Sequence, residues 1–198
     1  ELMELMVKSG CLGLVIGFES INEENLKNMN KSSNRQKKFD KYKKEIEILR
    51  SWGLQTWAAF TVGHDGDTME SIQETCNFAI ENKFCFAAYN ILMPYPGTPL
   101  YEKLKEEGRL LYDGKWWLHD EYKFNYSAIL PKNMTPDELT EVSFWCRKKF
   151  NSPFSIFRRA FDFKTNMRTP YRFFTYLIYN PLFRKEVHKK QGMKFGNK

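Results

Sequence analysis

Three short apolar segments alternate with helical patterns, and this alternation constrains the fold of the chain more than any other feature. The segments span residues 12–18, 54–62 and 84–92. Continuous apolar runs of this kind are typical of strands buried in a parallel sheet. Right-handed βαβ units connect such strands. The sequence therefore predicts an α/β fold whose strands form a parallel sheet or part of a barrel.

Local capping signals predict where several helices begin. An apolar stripe at helical spacing runs between residues 39 and 49. Asp67 and Glu70 have the spacing of a capping box ahead of the next helix. Thr98 and Thr135 each precede a proline, which favours the first position of a helix. We therefore expect helices to start near residues 39, 68, 99 and 136.

The third apolar segment ends in a rigid loop. Residues 90–101 have the sequence Asn-Ile-Leu-Met-Pro-Tyr-Pro-Gly-Thr-Pro-Leu-Tyr. Ligands of α/β folds bind beyond the carboxyl ends of the strands, which makes this loop a candidate site. A stiff turn without chemistry is the commoner meaning of such a motif when it stands alone.

Polar residues follow the other two segments. Glu19 ends the first and is placed to accept hydrogen bonds from ribose hydroxyls, although capping of the next helix or pairing with Lys31 would explain it equally well. After the second segment, glycines allow a ligand to approach the backbone, and His64 and Asp65 could bind polar groups. A tight turn with solvated acids is the alternative, and we expect Asp67 to serve as a helix cap.

Charge is distributed unevenly. Residues 147–198 carry fourteen Lys and Arg against two acidic side chains, whereas residues 1–146 are net acidic. We expect a barrel-like part over 1–110, an aromatic linker over 111–134 and a basic, aromatic helical extension over 135–198. Arginines on one face with aromatics packed inward would account for the extension. Contact with an anionic membrane surface is the alternative, and nucleic acid is not expected because no recognisable motif is present.

The four cysteines are scattered and form no Cys-x-x-Cys pair, so we expect reduced thiols in a cytoplasmic protein that could be peripheral to a membrane. The histidines form no cluster with ligand spacing, and no metal site is predicted within the chain. The chain starts at Glu1 inside a helical pattern, which suggests a fragment of a longer protein; a trimmed product is the alternative.

Several motifs, in order, resemble the radical S-adenosylmethionine enzymes, particularly those that carry an amino-terminal cobalamin-binding domain. The motifs are Gly17-Phe-Glu-Ser20 with Leu26 and Asn30-Lys31, Phe60 to Thr68, Asn90 to Tyr101 with Lys103 to Gly108, Trp116-Trp117, and Met134 to Leu139. The resemblance covers roughly residues 8–160. It implies the second half of a partial (β/α)6 TIM-like barrel followed by a helical carboxyl-terminal extension.

The resemblance also implies cofactors and site residues. The cofactors would be S-adenosylmethionine, a 4Fe–4S cluster and, in many members, cobalamin, in enzymes that commonly methylate unactivated carbon. The chemistry would begin with a 5′-deoxyadenosyl radical that takes hydrogen from the substrate. The carried-over residues are Glu19 and Ser20 at the ribose or amino end of S-adenosylmethionine, Val62 and Gly63 against its adenine, and His64, Asn90, Met93, Pro94 and Tyr95 on the substrate side. No catalytic residue is assigned.

One departure from the family pattern matters for activity. The family's Cys-x3-Cys-x2-Cys cluster motif is absent from this sequence, so we expect the ligands of the cluster to lie outside the chain. The chain by itself is therefore expected to be inactive. The leading hypothesis is a piece of a cobalamin-type radical S-adenosylmethionine enzyme that acts on a small hydrophobic molecule. The alternatives are a member without cobalamin, such as a methylthiotransferase-like enzyme, and a non-catalytic module that binds a membrane surface.

Overall fold

The computed structural model describes residues 1–22, 25–26 and 39–194, and the helices and strands of these ranges are as follows. They are α1 (Leu2–Lys8), β1 (Gly13–Glu19), α2 (Phe39–Ser51), β2 (Gln55–Val62), α3 (Met69–Glu81), β3 (Phe86–Ile91), α4 (Pro99–Glu106), α5 (Pro136–Phe150), α6 (Pro153–Ala160) and α7 (Pro170–Lys190). Asn30 and Lys31, which belong to the motif after β1, lie outside the described residues.

The three strands form one parallel sheet in the order β1-β2-β3. This confirms the predicted α/β class and the three predicted strands, with ends that differ from prediction by at most two residues. The division into 1–110, 111–134 and 135–198, and the number of strands in the complete barrel, stay predictions.

One face of the sheet, which we call the covered face, packs against helices. Its aromatic rings stack across the strands, with centroids 5.5 Å apart from Phe18 to Phe60 and again from Phe60 to Tyr89. Buried side chains of α3 and α5 belong to the same core: Ile72, Cys76, Ala79, Leu139, Val142, Cys146 and Phe150. The helix that follows the linker is thus part of the main core.

The opposite face, which we call the open face, carries the alternate residues of the same strands. Two rows cross it in register, Val15–Trp57–Phe86 and, nearer the carboxyl ends of the strands, Gly17–Ala59–Ala88. Beyond them Thr61 pairs with Asn90, and the register shift in β1 sets Glu19 opposite Phe60, one position short of Thr61; we call Glu19, Thr61 and Asn90 the polar row. Packing on this face is partial, since Val15 is 73% exposed.

In the basic extension, arginines are buried and many aromatic rings are exposed, which differs from the expectation. Three of its arginines are buried and donate to backbone carbonyls: Arg147 to Tyr89, Arg159 to Phe84, Cys85 and Phe150, and Arg172 to Leu12 and Gly53. Many of its aromatic rings are instead exposed, including Phe154, Phe157, Phe163 and Phe174. Tyr176 is packed inward as expected, but the expectation is wrong for these four rings, because guanidinium groups occupy the interior, where they satisfy carbonyls at strand and helix ends.

The caps of α4 and α5 are confirmed, but that of α3 is corrected. Thr98 and Thr135 each accept a hydrogen bond from the backbone N–H three residues on. The residue that caps α3 is Thr68, in a capping box with Ser71, and the prediction that Asp67 and Glu70 form this box is wrong. Within the described residues, none of the helices has both the length and the apolarity to cross a membrane.

Candidate functional site

The polar row lies at the carboxyl end of the open face. Thr61 stands opposite Asn90 in the parallel register, and its hydroxyl donates to Glu19 Oε2 at 2.9 Å. Three neighbouring strands thus each present one polar side chain at the edge where α/β folds bind ligands. The structure brings together two residues predicted from sequence, Glu19 and Asn90, and adds Thr61.

The backbone directs the Glu19 carboxylate towards Thr61. Glu19 has φ +62°, a left-handed conformation that is uncommon for residues other than glycine, and the register with β2 shifts between Gly17 and Glu19. A Cβ at Gly17 would lie 2.9 Å from Glu19 Oε1, so the absence of a side chain at Gly17 leaves room for the carboxylate. Strained non-glycine residues of this kind are concentrated at functional sites.

Below the polar row, small residues leave space. A groove of about 390 Å³ is lined by Ala59, Ala88 and Asn90. Trp57 and Phe86 line it nearer the amino ends of the strands, and residues of α7 form its opposite wall. This volume lies within the range of small-molecule sites, about 300–1,000 Å³. Ala59 and Ala88 therefore provide a floor on which a flat ligand can lie close to the backbone.

A second cavity, of about 550 Å³, lies beyond the ends of the strands and meets the first at Asn90. Met93 and Tyr95 line it, together with Trp116 and Tyr122. Trp116 Nε1 donates to the carbonyl of Pro94 at 3.1 Å, which fixes the proline loop against the aromatic linker. Burial raises the pKa of Tyr122 to about 12, so its phenol stays protonated and directs its O–H to Met93 Sδ, 3.9 Å away.

The loop after β2 is braced by its own acids. Gly63 has φ +100°, and a Cβ there would lie 2.7 Å from Leu139 Cδ2, so both backbone and packing require glycine. Asp67 is buried and accepts the N–H groups of Gly63 and His64 at 2.8 and 3.0 Å, as well as the side chain of Asn25. Asp67 therefore holds the loop rather than a helix end.

Asp65 and His64 line a different space from Asn90, Met93 and Tyr95. Asp65 forms ion pairs with Arg109, Lys132 and Lys103 at 2.8, 3.0 and 3.2 Å. Partial burial opposes ionisation, but hydrogen bonds from these cations prevail and lower the pKa of Asp65 to about 2. His64 contributes to a cavity of about 260 Å³ beside α4, which is not lined by Asn90, Met93 or Tyr95.

Ser20 and Val62 are in place but face away from the open face. The Ser20 hydroxyl is buried and accepts from Asn22 N at 3.0 Å and Asn25 Nδ2 at 3.4 Å. The Val62 side chain is part of the core on the covered face. Any contact of Val62 with an adenine would therefore be made by its backbone. The roles predicted for these two residues stay predictions.

The cysteines do not form a cluster site. Cys76 and Cys146 lie side by side in the core behind the sheet, where each thiol donates to a carbonyl of the other helix. Cys85 is buried near α6 and α7, and Cys11 lies before β1. Across the described residues, no three Cys, His, Asp or Glu side chains converge on a point where a metal could bind.

Sequence reasoning missed Thr61, Gly17, Tyr122 and Arg147 as site residues. Gly17 could have been found from strand alternation, since it lies two residues before Glu19 on β1. Thr61 could have been found because it precedes Val62 and therefore faces the opposite side of β2. Tyr122 and Arg147 carry no comparable signal, because the linker and α5 reach the site only through tertiary packing.

Comparison with known proteins places the chain among a group of enzymes, although no family model matches it. It is 34% identical over 141 residues to bacteriochlorophyllide d C-12(1)-methyltransferase of Chlorobaculum tepidum, a match that covers 71% of the chain and 29% of that protein. It is 28% identical over 141 residues to the anaerobic magnesium-protoporphyrin IX monomethyl ester cyclase of Cereibacter sphaeroides, covering 71% and 21%.

A third relative is hopanoid C-2 methylase of Rhodopseudomonas palustris, 25% identical over 161 residues, which covers 80% of the chain and 28% of that protein. The chain thus spans less than a third of the length of these relatives. All three are radical S-adenosylmethionine proteins. The chain belongs to the radical S-adenosylmethionine superfamily.

Proposed function

We propose that this chain is the part of a radical S-adenosylmethionine enzyme that holds S-adenosylmethionine and one side of the substrate. The enzyme would catalyse cobalamin-dependent methyl transfer, or related chemistry at C–H bonds, on a hydrophobic small molecule. The observation that carries the proposal is the polar row, in which the Thr61 hydroxyl donates to the Glu19 carboxylate and Thr61 pairs with Asn90, above a floor of alanines. Cobalamin rests on the family resemblance alone, and no step is assigned to it.

The open face fits an adenosyl sulfonium ligand. Glu19 offers an acceptor for ribose hydroxyls or the ammonium group, and Thr61 holds that carboxylate in one orientation. Ala59 and Ala88 leave the floor accessible to a flat ring. When bound, S-adenosylmethionine would supply the 5′-deoxyadenosyl radical characteristic of the superfamily.

The described cysteines do not fit a 4Fe–4S cluster, and the sequence lacks the family's cysteine motif. We therefore propose that the cluster is held by residues outside this chain and that the chain by itself is inactive. Anaerobic reconstitution of the chain with iron and sulfide is expected to yield no 4Fe–4S absorbance. A stoichiometric cluster on the chain would contradict this part of the proposal.

The second cavity fits the apolar part of a substrate. Tyr95 and Trp116 are in edge-to-face contact, with centroids 6.0 Å apart, and Met93 lies between the loop and Tyr122. Such aromatic walls exclude water and favour flat or ring-containing ligands. The relatives named above act on tetrapyrroles or on a hopanoid, and a ring system of comparable character is the substrate class that we propose here.

Titration calorimetry of the chain with S-adenosylmethionine tests the proposed function. Glu19→Gln is expected to weaken the affinity by about tenfold, because a charge-assisted hydrogen bond becomes a neutral one. Glu47→Gln, which changes an exposed carboxylate on α2, is the matched control and should bind as the wild type does. A folded chain that does not bind, or equal affinity of the two variants, would refute the assignment.

The extension supports a second candidate function, contact with an anionic membrane surface. Tyr171, Phe174, Ile178 and Leu182 are exposed at helical spacing on α7, and Phe154 and Phe157 are exposed on α6. Exposed cations on the same two helices and their connection include Arg158, Lys164 and Lys185. Aromatic and aliphatic groups beside cations are complementary to the interface of an anionic bilayer.

Co-sedimentation of the chain with vesicles distinguishes membrane contact from a merely solvated surface. We expect binding to vesicles that contain phosphatidylserine, weaker binding at high salt, and loss of binding in the Phe174→Ser, Ile178→Ser double variant. Leu118→Ser, in the linker, removes an equally exposed apolar side chain and is the control. Equal binding of the double variant and the control would exclude this surface.

A further inference from the structure

Arg147 lies where the two cavities meet. It is 8% exposed, yet it lines both the groove over the sheet and the aromatic cavity beyond it. Asn90, Phe124 and Asn125 are the other residues that the two cavities share. A ligand that spans both spaces would therefore pass the Arg147 guanidinium.

The hydrogen bonds of Arg147 leave part of its guanidinium available. Nε and Nη2 both donate to the carbonyl of Tyr89, at 2.9 and 2.6 Å, which satisfies an acceptor on the edge strand β3. Nη1 makes one long contact, 3.4 Å, to Gln191 Oε1. A guanidinium has five N–H donors, so the hydrogen bonds to Tyr89 and Gln191 leave other N–H groups of Arg147 for a ligand.

The charge of Arg147 is not balanced by a carboxylate partner among the described residues. Burial lowers its pKa to about 10, which still leaves it cationic at neutral pH. Glu186 also lines the groove, but it pairs with Lys190 at 3.1 Å, and Lys190 lines the groove as well. The shared space therefore has a net positive character, and a buried cation without a counter-ion favours an anionic ligand.

We propose that Arg147 is the anchor of a carboxylate subsite and that the substrate is an apolar, ring-containing carboxylic acid. The apolar body would occupy the cavity of Tyr95, Trp116 and Tyr122, and the carboxylate would accept from Nη1 and the free N–H of Nη2. This inference rests on the proposed function, because it names the substrate class of the same site. It assigns binding and orientation to Arg147, not chemistry.

Fluorescence titration of the full chain with two pyrene probes tests the subsite. Pyrene-1-butyrate carries a carboxylate, and pyrene-1-butanol has the same ring and chain length without the charge. The wild type is expected to bind the carboxylate about tenfold more tightly, the size of effect typical of a charge-assisted hydrogen bond. Equal affinity for the two probes would overturn the proposal without any variant.

Two variants test whether the preference for pyrene-1-butyrate depends on Arg147. Arg147→Met removes the charge but also uncovers the Tyr89 carbonyl, so circular dichroism must first show that it folds. Gln191→Glu keeps the Tyr89 contact and places a carboxylate beside Nη1, where it would neutralise the subsite from within. The preference for pyrene-1-butyrate should collapse in Gln191→Glu, whereas Gln73→Glu, which adds the same charge on α3, should retain it.

The result separates this inference from the proposed function. Retention of the preference in Gln191→Glu would overturn the Arg147 subsite. If S-adenosylmethionine still binds in a manner that depends on Glu19, the proposed function stands and only the substrate class fails. If the wild-type chain does not bind S-adenosylmethionine, the proposed function is refuted, whichever pyrene probe is preferred.

Discussion

The two faces of the sheet are built from alternate residues of the same strands, yet they are filled in opposite ways. On the covered face, Phe18, Phe60 and Tyr89 stack across three strands. On the open face, the positions between them are Gly17, Ala59 and Ala88. In the function that we propose, stability and binding are assigned to opposite sides of one sheet, because close packing leaves no room for a ligand.

The largest expected effect is on the covered face. Phe60→Ala should lower the free energy of unfolding by about 3–5 kcal/mol, because it removes a fully buried ring from the middle of the stack. Ala59→Ser, the neighbouring position on the open face, should change the free energy by less than about 1 kcal/mol. Urea denaturation measures both, and similar losses would show that the two faces do not differ in this way.

A substitution on the open face should weaken ligand binding and leave stability nearly unchanged. Ala88→Leu places a larger side chain in the exposed middle row and should reduce affinity for S-adenosylmethionine by about tenfold or more. Its free energy of unfolding should stay close to that of the wild type, since the groove has space. Calorimetry and denaturation on the same sample test the pair of expectations. Unchanged affinity would place the adenosyl site elsewhere.

Acid should affect the loops at the strand ends before it affects the stacked rings. The folded-state pKa of Asp65 is about 2, below the 3.8 of an unperturbed aspartate, so its ion pairs stabilise the fold fully above about pH 4. That contribution is lost as pH falls from about 4 to 2. Asp65→Asn should flatten the pH dependence of unfolding in this window. An identical profile in wild type and variant would contradict the role of the cation cluster.

The smallest effect concerns the helix behind the sheet. Thr68→Ala removes the side-chain cap of α3 and should cost about 1 kcal/mol. Glu70→Gln changes the residue that the sequence predicts to pair with Asp67 in a capping box. It should leave the free energy of unfolding within about 0.5 kcal/mol of the wild-type value. Thermal denaturation of the two variants compares the caps. A larger loss from Glu70→Gln would restore the cap predicted from sequence.

Much of the fold could be predicted because the signals are local. The three strands, the caps at Thr98 and Thr135 and the buried stripe of α5 follow from residues that lie within a few positions of one another. Glu19 and Asn90 were found for the same reason, since each ends an apolar segment. The predicted cap of α3 was wrong because the Asp67 carboxylate accepts hydrogen bonds from other groups instead. Asn25, which donates to it, is 42 positions away.

The sequence by itself determined the alternation of strands and helices, the family, and the two polar residues at the ends of β1 and β3. The tertiary structure alone decided where the cations go. Arg172 reaches the carbonyl of Leu12 across 160 positions, and Arg147 reaches Tyr89 across 58. Composition marks such arginines only as basic. Their burial follows from carbonyls at the ends and the edge of the sheet, which accept hydrogen bonds from them once the chain has folded.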